Sequence, residues 1–396
     1  MKPNPTPPIP VQGFLWMGRN IGIKDQSLDF GVLAAAHPCS AAAVFTRSNL
    51  PGAPVIVGRE HAAKGTLQAI VVNSKCANVG LGEQGLQDAR KMCQWTAEAL
   101  KIQPELVLPA STGVIGLPLP MGKIREGTLS IATNLDNSAE AVESFARAIM
   151  TTDTHPKWRN ARSGHASLLG VAKGSGMIEP NMATMLSYLV TDAEIDHSKL
   201  QEMLKRSVDA SFNRISIDTD TSTSDMVVLM ANGMAGRVHE DEFEKNLTGL
   251  CQDLAKDLVR DGEGVTKLIE LKISGADSPQ MAQKIGKSII NSPLIKTAVH
   301  GADPNWGRFV MAVGKVFEHP VRLEELEIRF GLGEKMQAVN SQLLKEETVK
   351  LESISELLQK DTIPIEVVVG HGDHSETFWG CDLSKGYIDE NAFYTT

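Results

Sequence analysis

The sequence has no cluster of lysine or arginine residues, no paired cysteines and no apolar run of membrane-spanning length. Because its formal net charge is -9, nucleic acid and anionic membranes are not expected as partners. The five cysteines are scattered and none lies in a CxxC pair, so neither a disulfide framework nor a metal site is expected. These absences predict a protein of a reducing compartment that has no metal site and binds neither membranes nor nucleic acid.

A signal peptide is also missing from the N-terminal stretch, MKPNPTPPIPVQGF. The stretch is rich in proline and lacks the apolar core that a signal peptide needs. We expect it to form an extended leader. The expected location is therefore the cytoplasm.

The chain of 396 residues is longer than one hydrophobic core usually organises, which predicts two domains or lobes. Apolar stripes at helical spacing predict helices over 85–102, 137–150, 197–212 and 242–259. Apolar runs bounded by turn residues predict strands over 67–73, 185–191, 225–231, 308–317, 326–331 and 363–370. A turn at 371–374 predicts a terminal hairpin that continues into 376–383. The pattern indicates a mixed α/β (α+β) protein whose sheets are covered by helices.

The stretch PNMATML raises a chemical question, because Thr184 stands between a glycine- and proline-rich loop and a predicted buried strand. A threonine in this place can simply fill the strand. Its hydroxyl can also be a nucleophile that becomes useful once the chain is cut just before it. The residues alone leave both interpretations open.

Three polar or glycine-containing stretches are further candidates for chemistry. Thr112 and Gly113 follow the predicted strand ELVLPA, where a hydroxyl and a backbone N–H can share one cavity as an oxyanion hole or form an ordinary turn. The run SIDTDTSTSD at 216–225 is either a solvated loop or the lining of a polar substrate site. The glycines of KGSG at 173–176 allow close backbone approach to another group, or a tight turn.

Several ordered motifs resemble the ornithine acetyltransferase family, the glutamate N-acetyltransferases of arginine biosynthesis. The motifs are STGVIG, TTDT, KGSGMIEPNMATML, DGEG, NSPLIKTAVHGADPNWGR and the terminal YTT. The resemblance covers nearly the whole chain, from Ala42 to Thr396. It implies an α/β acetyltransferase of the N-terminal-nucleophile type, related in fold to the aminopeptidases that release their own nucleophile.

The resemblance also implies that the chain cuts itself between Ala183 and Thr184. The products are an α chain of residues 1–183, with the oxyanion hole and the Lys173 loop, and a β chain of residues 184–396. The two are expected to remain associated as an α2β2 assembly. An unperturbed α-amino group has a pKa of about 7.7–8.0, so the amine freed on Thr184 can act as the base for its own hydroxyl.

By the same resemblance, Thr184 takes an acetyl group from N-acetyl-ornithine and passes it to glutamate in a ping-pong reaction. Thr112 and Gly113 match the family's oxyanion-hole pair. The family's substrate-binding positions correspond to Thr151 (with Thr152 as the alternative), Lys173, Thr184, Glu263, Asn391 and Thr396. Charge assigns a substrate carboxylate to Lys173 and a substrate ammonium group to Glu263.

No metal and no resident cofactor are expected, and use of acetyl-coenzyme A as a second acetyl donor stays open. The nearest alternative is an N-terminal-nucleophile amide hydrolase or aminopeptidase, which would share Thr184 but transfer the acyl group to water. Two places depart from the family's pattern: NSKCANVGLG lacks the usual Gly-Asn-Ala run, and Thr219 stands where many members have glycine. We expect these departures to affect specificity rather than the nucleophile.

Overall fold

The computed structural model describes residues 6–179 and 185–393, and it contains both sheets and helices. The strands are β1 Phe14–Arg19, β2 Phe30–Phe45, β3 Thr66–Asn73, β4 Val107–Ser111, β5 Lys157–Ser163, β6 Ala166–Lys173, β7 Leu186–Glu194, β8 Ile215–Ser216, β9 Met226–Arg237, β10 Leu268–Ala276, β11 Glu327–Phe330, β12 Gln337–Asn340, β13 Thr362–Val368 and β14 His374–Cys381. The helices are α1 Ala53–Ala62, α2 Gly82–Leu100, α3 Met121–Thr128, α4 Ile131–Asn134, α5 Ala139–Ala148, α6 His197–Asp209, α7 Glu240–Arg260, α8 Pro279–Ile290, α9 Pro293–His300, α10 Trp306–Gly314, α11 Ser341–Lys345, α12 Leu351–Leu358 and α13 Lys385–Phe393. This composition confirms the predicted α/β class, whereas the likeness to self-processing aminopeptidases stays a prediction.

The chain divides into two compact units. The first unit contains the described residues up to Asn213 together with Asp220–Asp261. The second unit contains Arg214–Thr219 and the described residues from Gly262 onward. The first unit thus draws strands from both sides of the predicted cut. The predicted division at 183/184 concerns a break in the backbone, and it stays a prediction.

The first unit is built on a sheet of 8 strands among the described residues, in the order β4-β3-β2-β9-β7-β6-β5 with β1 added beside β2. Helix α5 lies so close to β1 that a Cβ added at Gly18 would stand 2.0 Å from the Ser144 carbonyl oxygen. Helix α7 approaches β6 in the same way, because a Cβ at Gly170 would stand 2.7 Å from Leu254. The segments that follow α5 and α7 lie beside the first residue of β5, and the segment that follows α5 also lies beside the last residue of β6.

The second unit is built on a sheet of 6 strands within the described chain, in the order β12-β11-β13-β10-β14-β8. Its core includes Phe309, Phe330 and Phe378, each almost fully buried. The Phe309 and Phe330 rings meet edge to face, with centroids 5.6 Å apart. Helix α8 covers β14, since a Cβ at Gly286 would stand 2.1 Å from the Phe378 ring.

The structure confirms the amphipathic helices predicted from apolar stripes. Helix α5 begins where Ser138 accepts a hydrogen bond from the Ala141 N–H through its side chain. Its buried stripe contains Val142 and Phe145, as the spacing predicted. Helices α6 and α7 match their predicted ranges to within three residues, and α2 overlaps its range but begins three residues earlier and ends two residues earlier.

Two predictions about the second unit were wrong. Residues 308–317, predicted as a strand, fall largely in α10, where Phe309, Ala312 and Val313 are buried at helical spacing. The predicted hairpin of β13 with β14 does not form, because β10 lies between them, parallel to β13 and antiparallel to β14. A short apolar run does not distinguish a buried helix from a strand, and a turn signal does not reveal an inserted partner strand.

Among the described residues, no helix has both the length and the apolar character needed to cross a membrane. The five cysteines are all free and buried. Burial raises the pKa of the Cys93 thiol above its ordinary value. These thiols are therefore packing groups rather than nucleophiles.

Candidate functional site

The Thr112–Gly113 step follows the end of β4 and bends the chain in a way that only glycine permits. The Thr112 N–H donates to the Asn73 carbonyl at 3.1 Å, which extends the pairing of β4 with β3 by one residue. Gly113 then has φ +124°. A Cβ on Gly113 would stand 2.4 Å from the carbonyl carbon and oxygen of Lys75. Any side chain at this position would therefore displace the backbone.

Two donors at this bend have no partner within the part of the chain that the structure describes. They are the Thr112 hydroxyl and the Gly113 backbone N–H. Thr112 as a residue is 5% exposed. A hydroxyl and an N–H left available at one bend can donate to a developing oxyanion.

Lys173 and Thr151 lie together although 22 residues separate them in the sequence. Lys173 is the last residue of β6, and its ammonium group donates to the Thr151 hydroxyl at 3.4 Å. Both residues are half-buried. The structure thus brings together two of the predicted substrate-binding residues, with a cation and a hydroxyl that suit a carboxylate.

Sequence reasoning missed the group that holds these two residues in place. Asp153 accepts hydrogen bonds from the N–H groups of Thr151 at 3.0 Å and of Gly174 at 2.7 Å. It also receives the Lys157 ammonium group at 2.7 Å. Asp153 belongs to the TTDT motif, but nothing in the local sequence shows that a lysine four residues later is fully buried against it.

Glu263 and Asn391 form a second cluster, which lies within the second unit. The Asn391 side-chain amide donates to a Glu263 carboxylate oxygen at 2.8 Å and to the Tyr387 carbonyl at 3.0 Å. Glu263 is 8% exposed, whereas Asn391 is exposed. The structure therefore brings this predicted pair together. The remaining acceptor capacity of the Glu263 carboxylate suits an ammonium group.

The predicted cleavage site and nucleophile, Ala183 and Thr184, lie outside the described residues, and so does the predicted binding residue Thr396. The described chain on either side of the cleavage site is hydrogen-bonded to one segment. Before it, the Glu179 N–H donates to the Asp220 carbonyl at 2.9 Å. After it, the Met185 carbonyl accepts from the Met226 N–H at 3.1 Å.

The electrostatics of the first unit favour an ionised Asp153. Burial alone would raise the pKa of its carboxyl, but the charges of Lys157 and Lys173 and its hydrogen bonds hold that pKa below the usual range. Lys24 lies in the same electrostatic environment, and burial lowers the pKa of its ammonium group to about 8 against the opposing attraction of Asp29. Its amine donates to the Met150 carbonyl at 2.7 Å, immediately before Thr151.

No group of three or more His, Cys, Asp or Glu side chains suited to a metal occurs among residues 6–179 and 185–393. The expectation that the chain has no metal site stays a prediction for the chain as a whole. Gly80, Gly82 and Gly85 have the G-x-G-x-x-G spacing of dinucleotide-binding sites. A loop separates this motif from β3, since β3 ends at Asn73 and α2 begins at Gly82. A dinucleotide site of the strand-to-helix type therefore lacks its geometric basis there.

Comparison with known proteins gave matches over nearly the whole chain. A family model described as the ArgJ family matches residues 16–396. The arginine biosynthesis bifunctional protein ArgJ 2 of Clostridium acetobutylicum is 46% identical over 389 residues, with 97% of each chain covered. The glutamate N-acetyltransferase Oat2 of Streptomyces clavuligerus is 42% identical over 393 residues, with 99% of each chain covered.

Among solved structures, an ornithine acetyltransferase of Mycobacterium tuberculosis complexed with ornithine is 32% identical. The match covers 44% of this chain and 94% of that chain, with a TM-score of 0.40. The family model and the curated relatives span the same ordered motifs that carried the resemblance in the sequence. The protein therefore belongs to the ArgJ family of enzymes.

Proposed function

We propose that this protein transfers an acetyl group from N-acetyl-ornithine to glutamate, through an acetyl ester on Thr184 formed after self-cleavage between Ala183 and Thr184. Its membership of the ArgJ family over residues 16–396 is the observation that carries the proposal. A relative named glutamate N-acetyltransferase at 42% identity supports the acceptor. Acetyl-coenzyme A as an additional donor, and an α2β2 assembly of the cleaved chains in the cytoplasm, belong to the same proposal.

The cleavage step uses the hydroxyl that later does the transfer chemistry. The Thr184 oxygen attacks the Ala183 carbonyl, the peptide bond shifts to an ester, and water hydrolyses that ester. The products are a carboxylate on Ala183 and a free α-amino group on Thr184. This amine then takes the proton from the hydroxyl of the same residue, which makes the threonine a competent nucleophile.

The acetyl group is transferred in two half-reactions, through an ester on Thr184. The Thr184 oxygen attacks the acetyl carbonyl of N-acetyl-ornithine, and ornithine leaves after its nitrogen receives the proton. The glutamate amine then attacks the acetyl ester, and N-acetylglutamate leaves as the hydroxyl regains a proton. Each half-reaction passes through a tetrahedral oxyanion, which the Thr112 hydroxyl and the Gly113 N–H stabilise.

The proposed binding residues divide by charge. Lys173, with Thr151 beside it, binds the substrate α-carboxylate, because an ammonium group and a hydroxyl are both donors. Glu263 binds the side-chain ammonium group of the ornithine moiety, and Asn391 orients its carboxylate through their hydrogen bond. Thr396 supplies a further polar contact.

The experiment that tests the proposal combines intact-mass spectrometry with an acetyl-exchange assay. Purified wild-type protein is expected to give two fragments that divide at Thr184, and to convert N-acetyl-ornithine and glutamate into ornithine and N-acetylglutamate. Thr184→Ala is expected to remain one chain without transfer. Thr184→Ser keeps a hydroxyl at the same position and is the matched control, with cleavage and measurable transfer expected.

Three results would count against the proposal. Cleaved Thr184→Ala protein would refute the role of this hydroxyl in self-cleavage. Release of acetate with no glutamate-dependent product would favour the amide hydrolase instead. Full transfer activity in uncleaved protein would refute the need for the freed amine.

A further inference from the structure

Lys157 is a fully buried cation whose hydrogen-bonding capacity is met by protein groups alone. It is the first residue of β5, and its side chain is 0% exposed. Its ammonium group contacts Asp153 at 2.7 Å, Asp261 at 2.5 Å and the His155 carbonyl at 3.4 Å. Three donors therefore face three acceptors, and the two carboxylates are as deeply buried as the lysine, at 0% and 2% exposed.

Asp153 connects this buried cation to the two predicted binding residues of the first unit. One carboxylate oxygen receives Lys157 and the Gly174 N–H, and the other receives the Thr151 N–H. Gly174 directly follows Lys173, so one carboxylate fixes the backbone beside both Thr151 and Lys173. The Lys173 amine and the Thr151 hydroxyl lie 3.4 Å apart, each on or next to a residue whose backbone N–H this carboxylate accepts.

Asp261 anchors the other side of the same cluster. It directly follows the last residue of α7 and accepts hydrogen bonds from the Thr154 N–H at 3.1 Å and from the Thr154 hydroxyl. Its carbonyl accepts from the Ser175 hydroxyl at 2.5 Å. The cluster thus ties residues 151–155, the start of β5, the end of β6 and the end of α7 into one hydrogen-bonded group.

We propose that Asp153 and Lys157 are positioning residues for acyl-substrate binding, which set the distance between Thr151 and Lys173 through the backbone N–H groups of Thr151 and Gly174. The inference rests on the proposed function and extends it to two buried residues that need not touch the substrate. Asp153 supplies the geometry. Lys157 supplies the counter-charge that lets a carboxylate remain at that depth.

The pair is expected to act on substrate binding more than on the chemical step. Asp153→Asn keeps the shape of the side chain but replaces one acceptor oxygen with a donor, so one of the two backbone contacts is lost. We expect the KM for N-acetyl-ornithine to rise about tenfold, with kcat changed by less than about threefold. Lys157→Met removes the cation and leaves Asp153 and Asp261 as mutually repelling carboxylates, so a similar rise in KM is expected.

The double variant Asp153→Asn/Lys157→Met distinguishes positioning through Asp153 from separate effects of the two residues. If Lys157 acts on the site through Asp153, the double variant raises KM by no more than the larger single change. If instead the rise in KM of the double variant equals the product of the rises in the two single variants, the two residues act separately, and that part of the inference is overturned. Circular dichroism confirms which variants fold, and Lys157→Met decides the question if Asp153→Asn does not.

A matched control is available on the same two elements. Arg159 of β5 and Asp257 of α7 form a two-bond ion pair with both distances 2.7 Å. This pair has the same strand-to-helix arrangement, but its described contacts do not include Thr151, Lys173 or Gly174. Asp257→Asn is expected to lower the denaturation midpoint while leaving both KM and kcat within about threefold of wild type.

The outcomes separate this inference from the proposed function. Wild-type protein without glutamate-dependent acetyl exchange would overturn the proposed function and this inference with it. An active wild type whose KM is unchanged in folded Asp153→Asn would overturn the positioning role alone. An equal rise in KM in Asp257→Asn would also overturn it, because the effect would then follow from the loss of any ion pair between β5 and α7.

Discussion

Replacement of Gly264 by alanine tests whether the link between the Glu263 loop and helix α13 controls the Glu263–Asn391 pair. Gly264 has φ +66°. A Cβ at this position would stand 2.1 Å from the Tyr387 N atom and 2.5 Å from the Gly386 carbonyl carbon. Both are backbone atoms of α13, so no side-chain rotation relieves the overlap.

The size of the effect follows from these distances. Contacts between uncharged atoms settle near ~3.5 Å, so the start of α13 must move by on the order of 1 Å. The Asn391–Glu263 hydrogen bond of 2.8 Å would then lengthen beyond the ~3.2 Å typical of such bonds. The left-handed backbone costs alanine about 1–2 kcal/mol, and overpacking adds about 1–3 kcal/mol.

Gly333→Ala is the matched control within the same unit. Gly333 has φ +60°, and a Cβ there would meet nothing within 4 Å. Gly333→Ala therefore places alanine in a left-handed backbone conformation without any overlap with other atoms, and about 1 kcal/mol of destabilisation is expected. The comparison of the two variants isolates the contact with α13.

The assay combines urea denaturation with steady-state kinetics. Gly264→Ala is expected to lose clearly more stability than Gly333→Ala and to raise the KM for N-acetyl-ornithine about fivefold, since the loss of one hydrogen bond is worth about 1 kcal/mol. Gly333→Ala is expected to leave KM unchanged. Equal stability loss and equal KM in the two variants would refute the reasoning.

Three further predictions follow from single residues. Thr112→Val is expected to lower kcat by about 10²–10³ through loss of the oxyanion donor, whereas Thr112→Ser keeps the hydroxyl and most of the rate; equal rates in the two would count against the oxyanion role. Thr219, a β-branched residue at φ +71°, is strained, so Thr219→Gly is expected to raise the free energy of unfolding in urea by up to about 1 kcal/mol. A lower free energy of unfolding in Thr219→Gly than in wild type would show that the Thr219 backbone is not strained. Because burial lowers the pKa of Lys24 to about 8, its labelling by acetic anhydride, mapped by mass spectrometry, should reach half its maximum near that pH. A labelling midpoint above pH ~10, the ordinary pKa of lysine, would show that burial does not lower the pKa of Lys24.

The helices of the first unit could be predicted from the sequence because their apolar stripes are local. Phe145 in α5 and Leu254 in α7 are buried at positions that the 3.6-residue period marks in advance. The ordered motifs also identified the family and supplied the nucleophile candidate Thr184, which lies outside the described residues. These conclusions depend only on local patterns, each contained in one short stretch of the chain.

The errors and omissions concern relations between distant segments. The run at 308–317 looked like a strand because its apolar residues are consecutive, and only the burial of Phe309 and Ala312 in the second core shows a helix. The position of β10 between β13 and β14 is likewise decided by long-range pairing. No local pattern contains that information.

The sequence by itself determined the family, the α/β class and the residue types available for acyl transfer. The tertiary structure alone decided which of those residues meet: Lys173 with Thr151, Glu263 with Asn391, and Asp153 with Lys157. The last pair could not have been inferred from composition, because a charged lysine enters a protein interior only where folding supplies carboxylates at hydrogen-bonding distance. That condition depends on how β5, β6 and α7 pack together.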